Sequence, residues 1–156
     1  SNKELAIGSV SENGFLFVNK PIATYAGADD RYIEQEKAYR LQEIAHKVKL
    51  YRAVLPKIPL KGKAVIITDD GVATGATVQA ALWAVRQENP QMLMLALPVG
   101  PADTIEKLAE DADQTICLRT PPDFNALSRF YLEFSQVEDE LLIQILEKEN
   151  KRRSKK

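Results

Sequence analysis

The chain of 156 residues has a single cysteine, Cys117, and a single histidine, His46. One thiol excludes an intramolecular disulfide and any cysteine-based metal cluster, which suits a reducing compartment, and the expected location is cytoplasmic. No apolar stretch approaches the roughly 18 residues that a spanning helix needs, and the N-terminus lacks the basic-then-apolar layout of a signal peptide. No membrane partner is expected. Positive charge is not in excess either: 21 Lys and Arg stand against 22 Asp and Glu, so the electrostatic footprint of a nucleic-acid partner is missing. Five of those cations fall in the last six positions, leaving 16 basic against 22 acidic residues over 1–150. Residues 150–156 thus read as a basic, solvated C-terminal tail. Internal repeats and low-complexity tracts are absent. What remains is 45% hydrophobic and 28% charged, a globular composition, and residues 1–149 are read as one domain.

Two apolar runs, Leu5 to Val10 and Phe15 to Val18, flank Ser11-Glu12-Asn13-Gly14, and the Asn-Gly pair predicts a β-hairpin. Lys20-Pro21 and Gly27 to Asp30 read as loop. From about Asp30 to Val54, Ile33, Leu41, Ile44, Val48 and Tyr51 recur at helical spacing, and His46 lies off that stripe. Ala64 to Thr68 has almost no polar break, which predicts a central parallel strand covered on both faces. Helical spacing resumes over Val78 to Gln87. Met92 to Leu97 and Thr115 to Leu118 are strands around a helix at Thr104 to Ala109. Trp83 is expected in the core and Cys117 as an inert thiol. Ser135 and Glu138 fit a capping box that would open the last helix near Gln136. The alternation predicts an α/β fold: an open, mainly parallel sheet with flanking helices, preceded by an N-terminal β-hairpin.

The chemistry concentrates between Val65 and Thr77. Two adjacent carboxylates, Asp69 and Asp70, follow an apolar strand and are followed by Gly71-Val72-Ala73-Thr74-Gly75-Ala76-Thr77. Ligands collect at the carboxyl ends of strands in such sheets. A loop of small residues entering a helix aims backbone N–H groups and the helix dipole at one point, which suits a phosphate, and Thr74 and Thr77 add hydroxyl donors. Asp69 and Asp70 can accept hydrogen bonds from vicinal hydroxyls or help hold a divalent cation. A phosphate beside a diol is a sugar phosphate. The loop has no Gly-Lys-Ser/Thr ending and no dinucleotide fingerprint. Capping of the helix by the aspartates alone would explain the acids but not the run of small residues. A side chain at Gly75 is expected to fill the space of the phosphate.

Residues 65–77 resemble the phosphoribosyl pyrophosphate (PRPP) signature of the type I phosphoribosyltransferases, with Thr68 and Gly71 standing where that signature usually carries apolar residues. The segments Glu4-Leu5-Ala6-Ile7-Gly8-Ser9-Val10, Pro98-Val99-Gly100-Pro101 and Phe134-Ser135-Gln136-Val137 are similar to those of one bacterial subgroup, sometimes fused to a dienelactone-hydrolase-like domain. The resemblance implies transfer of the 5-phosphoribosyl group to an unidentified nitrogen acceptor, a nucleobase for example, with release of pyrophosphate. It implies Asp69 and Asp70 as the catalytic pair on the ribose hydroxyls and as contacts for Mg²⁺, the implied cofactor. Val72, Ala73, Thr74, Gly75, Ala76 and Thr77 would bind the 5-phosphate. In that subgroup a basic-Gly-Gly stretch precedes the Glu4-Leu5-Ala6 segment; the expectation is that its strand and pyrophosphate loop are lacking here, and that a homodimer could supply the strand. Phe130, Tyr131 and Phe134 are candidates to stack on an acceptor base, as the lid over the site does in that family, and equally fit ordinary packing of the last helix. A non-catalytic PRPP- or nucleotide-binding regulator on the same fold is the alternative, and a sugar-phosphate hydrolase with Asp69 as nucleophile is a third.

Overall fold

The computed structural model describes residues 8–12, 14, 16–18 and 20–154. Leu5 to Ile7, Asn13 and Phe15, which the hairpin reading includes, lie outside them. Strands β1 (Gly8–Val10) and β2 (Leu16–Val18) pair antiparallel, Ser9 opposite Phe17, and Gly14 at φ 81° donates its N–H to the Ser11 carbonyl at 2.9 Å. The expected loop at Lys20-Pro21 is instead a short helix, α1 (Lys20–Tyr25), since a proline in the first turn has no N–H to lose. Helix α2 (Asp30–Val54) opens on Asp29, whose carboxylate accepts the Tyr32 N–H at 2.7 Å. It ends shortly before Pro56.

The parallel sheet then follows: β3 (Ala64–Thr68), α3 (Ala76–Arg86), β4 (Met92–Val99), α4 (Ala102–Ala109) and β5 (Gln114–Arg119), in the order β3-β4-β5. Val65 pairs with Leu93, and Leu95 with Thr115. The centre is β4, whose Leu93, Leu95, Leu97 and Val99 are all buried. They pack with Val72, Val78, Leu82 and Leu108 beneath α3 and α4. Burying a leucine side chain of this kind is worth about 2 kcal/mol.

Strand β3 departs from the expectation of a central strand covered on both faces. Among the described residues it is the edge of the sheet, and only Val65 and Ile67 reach the core while Ile66 is 60% exposed. Ile116 and Leu118 on β5 share that open state. A five-residue apolar run does not distinguish one covered face from two. Trp83 is half-buried, its ring meeting Phe17 edge-on at 5.9 Å, so the hairpin lies on α3.

The hairpin is tied to the rest of the chain by charge. Glu12 accepts from Arg52 of α2 at 2.6 Å and from Lys57 at 3.2 Å, and Lys57 also reaches Glu88 at 2.5 Å. The last helix, α5 (Asp139–Arg153), begins three residues later than its capping box predicts, and Glu138 makes no side-chain cap. Asp139 instead accepts the Tyr51 hydroxyl at 2.6 Å and Lys47 at 3.3 Å, and Asn150 donates to the Val54 carbonyl at 2.9 Å. Docking on α2 sets where the helix starts. It runs on through Lys151, Arg152 and Arg153, cations that complement the C-terminal dipole. Arg152 and Arg153 bind Glu149 at 2.7 and 2.9 Å and hold its carboxyl down at about 2. Among the described residues no helix is long and apolar enough to cross a membrane.

Hydrogen bonding from Arg52, then from Lys57, holds the Glu12 carboxyl below its usual 4.5 against the opposing effect of burial. A carboxyl depressed in the fold stabilises above its unfolded pKa and stops doing so as pH falls through its folded value. Glu12→Gln is therefore expected to lower Tm at pH 7, and the gap from wild type should close as the pH drops below 4.5. Tm measured against pH checks it; a gap that stays constant would mean that the side chain acts by packing.

Candidate functional site

Strand β3 delivers its chain end to Asp69 and Asp70, and the Asp70 N–H turns back onto Asp69 Oδ1 at 2.9 Å. Gly71 follows at φ 150°, and a Cβ there would sit 2.8 Å from the Val99 carbonyl oxygen and against Leu127. This departure from the usual apolar residue of the signature thus has a steric cause. The Val72 N–H donates to Val99 O at 3.0 Å, fixing the loop to the end of β4. Thr104 of α4 donates its hydroxyl to the Ala73 carbonyl at 3.2 Å. Gly75 caps α3 in the left-handed region at φ 76°, and its carbonyl accepts the Gln79 N–H at 2.8 Å, the first bond of the helix. From the other side, Ser9 Oγ of the hairpin donates to the Ala76 carbonyl at 2.5 Å.

These contacts shape an open cavity of about 210 Å³, lined by every residue from Asp69 to Val78 together with Leu127. All the sequence-predicted site residues, Asp69, Asp70, Val72, Ala73, Thr74, Gly75, Ala76 and Thr77, meet there. His46, Cys117 and Trp83 do not line it. Its volume is below the roughly 300–1,000 Å³ of sites that enclose a whole drug-sized ligand, and matches a subsite for part of one. Among the described residues no basic side chain lines it; the lining combines loop amides and the N-terminus of α3 with two carboxylates. Burial, and secondarily the neighbouring Asp69, push the Asp70 carboxyl above its usual value. No group of three or more His, Cys, Asp or Glu side chains able to hold a metal is found among the described residues. The two aspartates fit a Mg²⁺ ion held largely by substrate oxygens and water.

One expectation needs correction. A Cβ on Gly75 would point at Thr104 Cγ2, 3.0 Å away, and at Leu108 Cδ1, 3.3 Å away, which is toward α4. Glycine is required there by φ and by helix packing. Sequence reasoning also missed Leu127, in a 3₁₀ turn (Leu127–Phe130) of the long connection between β5 and α5. The aromatic residues of that connection were its only signal. Phe124 stacks on Phe130 at 5.5 Å, and Tyr131 leans on Phe134 at 5.3 Å while its hydroxyl donates to the Asp70 carbonyl.

No family model matches the chain. Two curated relatives, from the CDC 1551 and H37Rv strains of Mycobacterium tuberculosis, each bear the name "Putative phosphoribosyl transferase". Each is 32% identical over 145 residues, covering 93% of this chain and 33% of the relative. The chain thus spans about a third of their length. The crystal structure of TT1426 from Thermus thermophilus is 38% identical, with a TM-score of 0.72 over 92% of this chain and 67% of that one.

Two substitutions separate the functions of the loop residues. The raised pKa of Asp70 means that its ionised form costs stability once the pH rises through the folded value, so Asp70→Asn should melt no lower than wild type at pH 7. Gly75→Ala should melt lower by about 2–8 °C, because a left-handed φ costs a residue with a Cβ about 1–2 kcal/mol. Calorimetric melting of both variants checks the pair, and the opposite ranking would sink it.

Proposed function

We propose, from its similarity to these relatives, that the chain is a phosphoribosyltransferase-like protein that binds PRPP and transfers the 5-phosphoribosyl group to a nitrogen acceptor. The observation that carries this reading is the unbroken run from Asp69 to Thr77 around one cavity, at the end of β3 and the start of α3. The amides of 72–77, with the Thr74 and Thr77 hydroxyls, would hold the 5-phosphate. Asp69 and Asp70 would accept hydrogen bonds from the ribose 2- and 3-hydroxyls. The acceptor nitrogen would then form its bond to the anomeric carbon as the bond to pyrophosphate breaks, through a sugar with oxocarbenium character. The same two carboxylates would lower the energy of that cation. Mg²⁺, when bound, would supply neutralisation of the charge gathering on pyrophosphate.

The cavity size supports this division: it suits the phosphate and ribose half of PRPP. The alternative, a PRPP- or nucleotide-binding regulator, needs the same residues and differs in releasing no pyrophosphate.

Titration calorimetry with Mg²⁺-PRPP, ribose 5-phosphate and AMP tests the reading. PRPP and ribose 5-phosphate should bind, and Asp70→Asn should weaken both by about 10- to 100-fold, as expected for losing a charged hydrogen-bond acceptor. Absence of binding by either sugar phosphate would overturn it. Pyrophosphate release on incubation with nucleobases then separates transferase from regulator.

A further inference from the structure

The connection from β5 to α5 is irregular from Thr120 to Glu138 apart from its one 3₁₀ turn, yet it is anchored at two points on the acidic loop. Leu127 is buried where it blocks any side chain at Gly71, and the Tyr131 hydroxyl donates to the main-chain carbonyl of Asp70. The second contact falls on the peptide that joins Asp70 to Gly71. Asp70 has its own N–H committed to Asp69 Oδ1, so its carbonyl is the other handle on its backbone. The residue beyond that carbonyl is a glycine at φ 150°, free of the steric limits that would hold a peptide plane at any other residue. The orientation of that peptide therefore depends on hydrogen bonds at its two ends. On the β3 side the Asp70 N–H is held by Asp69. On the Gly71 side the described hydrogen bond comes from Tyr131, whose ring is steadied by Phe134 at 5.3 Å.

We propose that Tyr131 is a positioning residue for sugar recognition, holding Asp70 toward the diol through the carbonyl of its own peptide. The proposal rests on the phosphoribosyl reading of the cavity and assigns a residue outside the signature to it. Its reach is limited: the backbone of 72–77 is held by Val99, Thr104 and Ser9, through hydrogen bonds in which Tyr131 takes no part. Tyr131 should thus govern the diol half of the site and leave the phosphate half alone.

The test is Tyr131→Phe, which keeps the ring and deletes the hydroxyl. Affinity for ribose 5-phosphate with Mg²⁺ should fall about fivefold or more, the loss expected for one hydrogen bond, while inorganic phosphate should bind within about twofold of wild type. A general loosening of the connection would weaken both ligands and would overturn the assignment, as would an unchanged affinity for ribose 5-phosphate. A second readout needs no ligand. In the amide spectrum, the Gly71 resonance of Tyr131→Phe should shift and its hydrogen exchange quicken while Gly75 stays in place; an unmoved Gly71 signal overturns the proposal. Failure of wild type to bind ribose 5-phosphate would defeat the reading of the cavity instead, and the Gly71 signal would still decide the role of Tyr131.

Discussion

The main-chain bond from the Val72 N–H to the Val99 carbonyl, 3.0 Å long, is the constraint on which the site depends. It ties the segment leaving β3 to the end of β4, the most deeply buried strand. Once that distance is fixed, Gly71 has to be a glycine, because the same carbonyl would stand 2.8 Å from any Cβ. Gly100 is constrained in the same way from across the gap, where its Cβ would strike Val72. The loop can then turn only by passing through Gly75 in the left-handed region, and α3 begins at Ala76. A rigid sheet end thus becomes a rigid row of amides without any side chain having to be placed by packing alone.

That is also why this part of the molecule was legible in the sequence. A tight turn from a strand end into a helix that lines a cavity with backbone amides requires small residues and glycines, and Asp69 to Thr77 shows that requirement in its sequence. The α/β alternation was equally plain, because β4 is an unbroken apolar run and α3 spaces Ala81, Leu82 and Val85 helically. The start of α5 was not, since a capping box is a local preference and Asp139 has a stronger tertiary partner in Tyr51 and Lys47 of α2. Nor was the open face of β3, because Ile66 and Ile67 are the same residue type while one is 60% exposed and the other packs on the core. The contact of Tyr131 with Asp70 spans 61 positions of sequence and ends on a main-chain atom, which leaves no side-chain pattern to read.

The periphery follows a different logic from the core. Helix α2 has no fully buried residue; its apolar stripe of Ile33, Leu41, Ile44 and Val48 is half-buried, and ion pairs and hydrogen bonds tie it to the hairpin and to α5. Half-exposed pairs of this kind are each worth little, about 0–1 kcal/mol. Their value is geometric. Glu12 joins the hairpin turn to α2 and Lys57, and Ser9 of the same hairpin joins it to the first turn of α3, so the hairpin bridges the outer helix and the loop that lines the cavity.

The charge inside the cavity governs how an anionic ligand can enter it. Among the described residues its lining has two carboxylates and no cationic side chain, so Coulomb's law opposes any bare phosphate that approaches Asp69 and Asp70. The loop amides and the α3 dipole attract it, with the equivalent of about half a charge at the helix N-terminus. Half a positive charge against two negative ones favours a ligand that is neutral or hydroxyl-bearing on the aspartate side and anionic only on the loop side. A sugar phosphate has this polarity along its length. A ligand with further phosphates, as in the proposed function, has to carry cations with it to offset the two carboxylates.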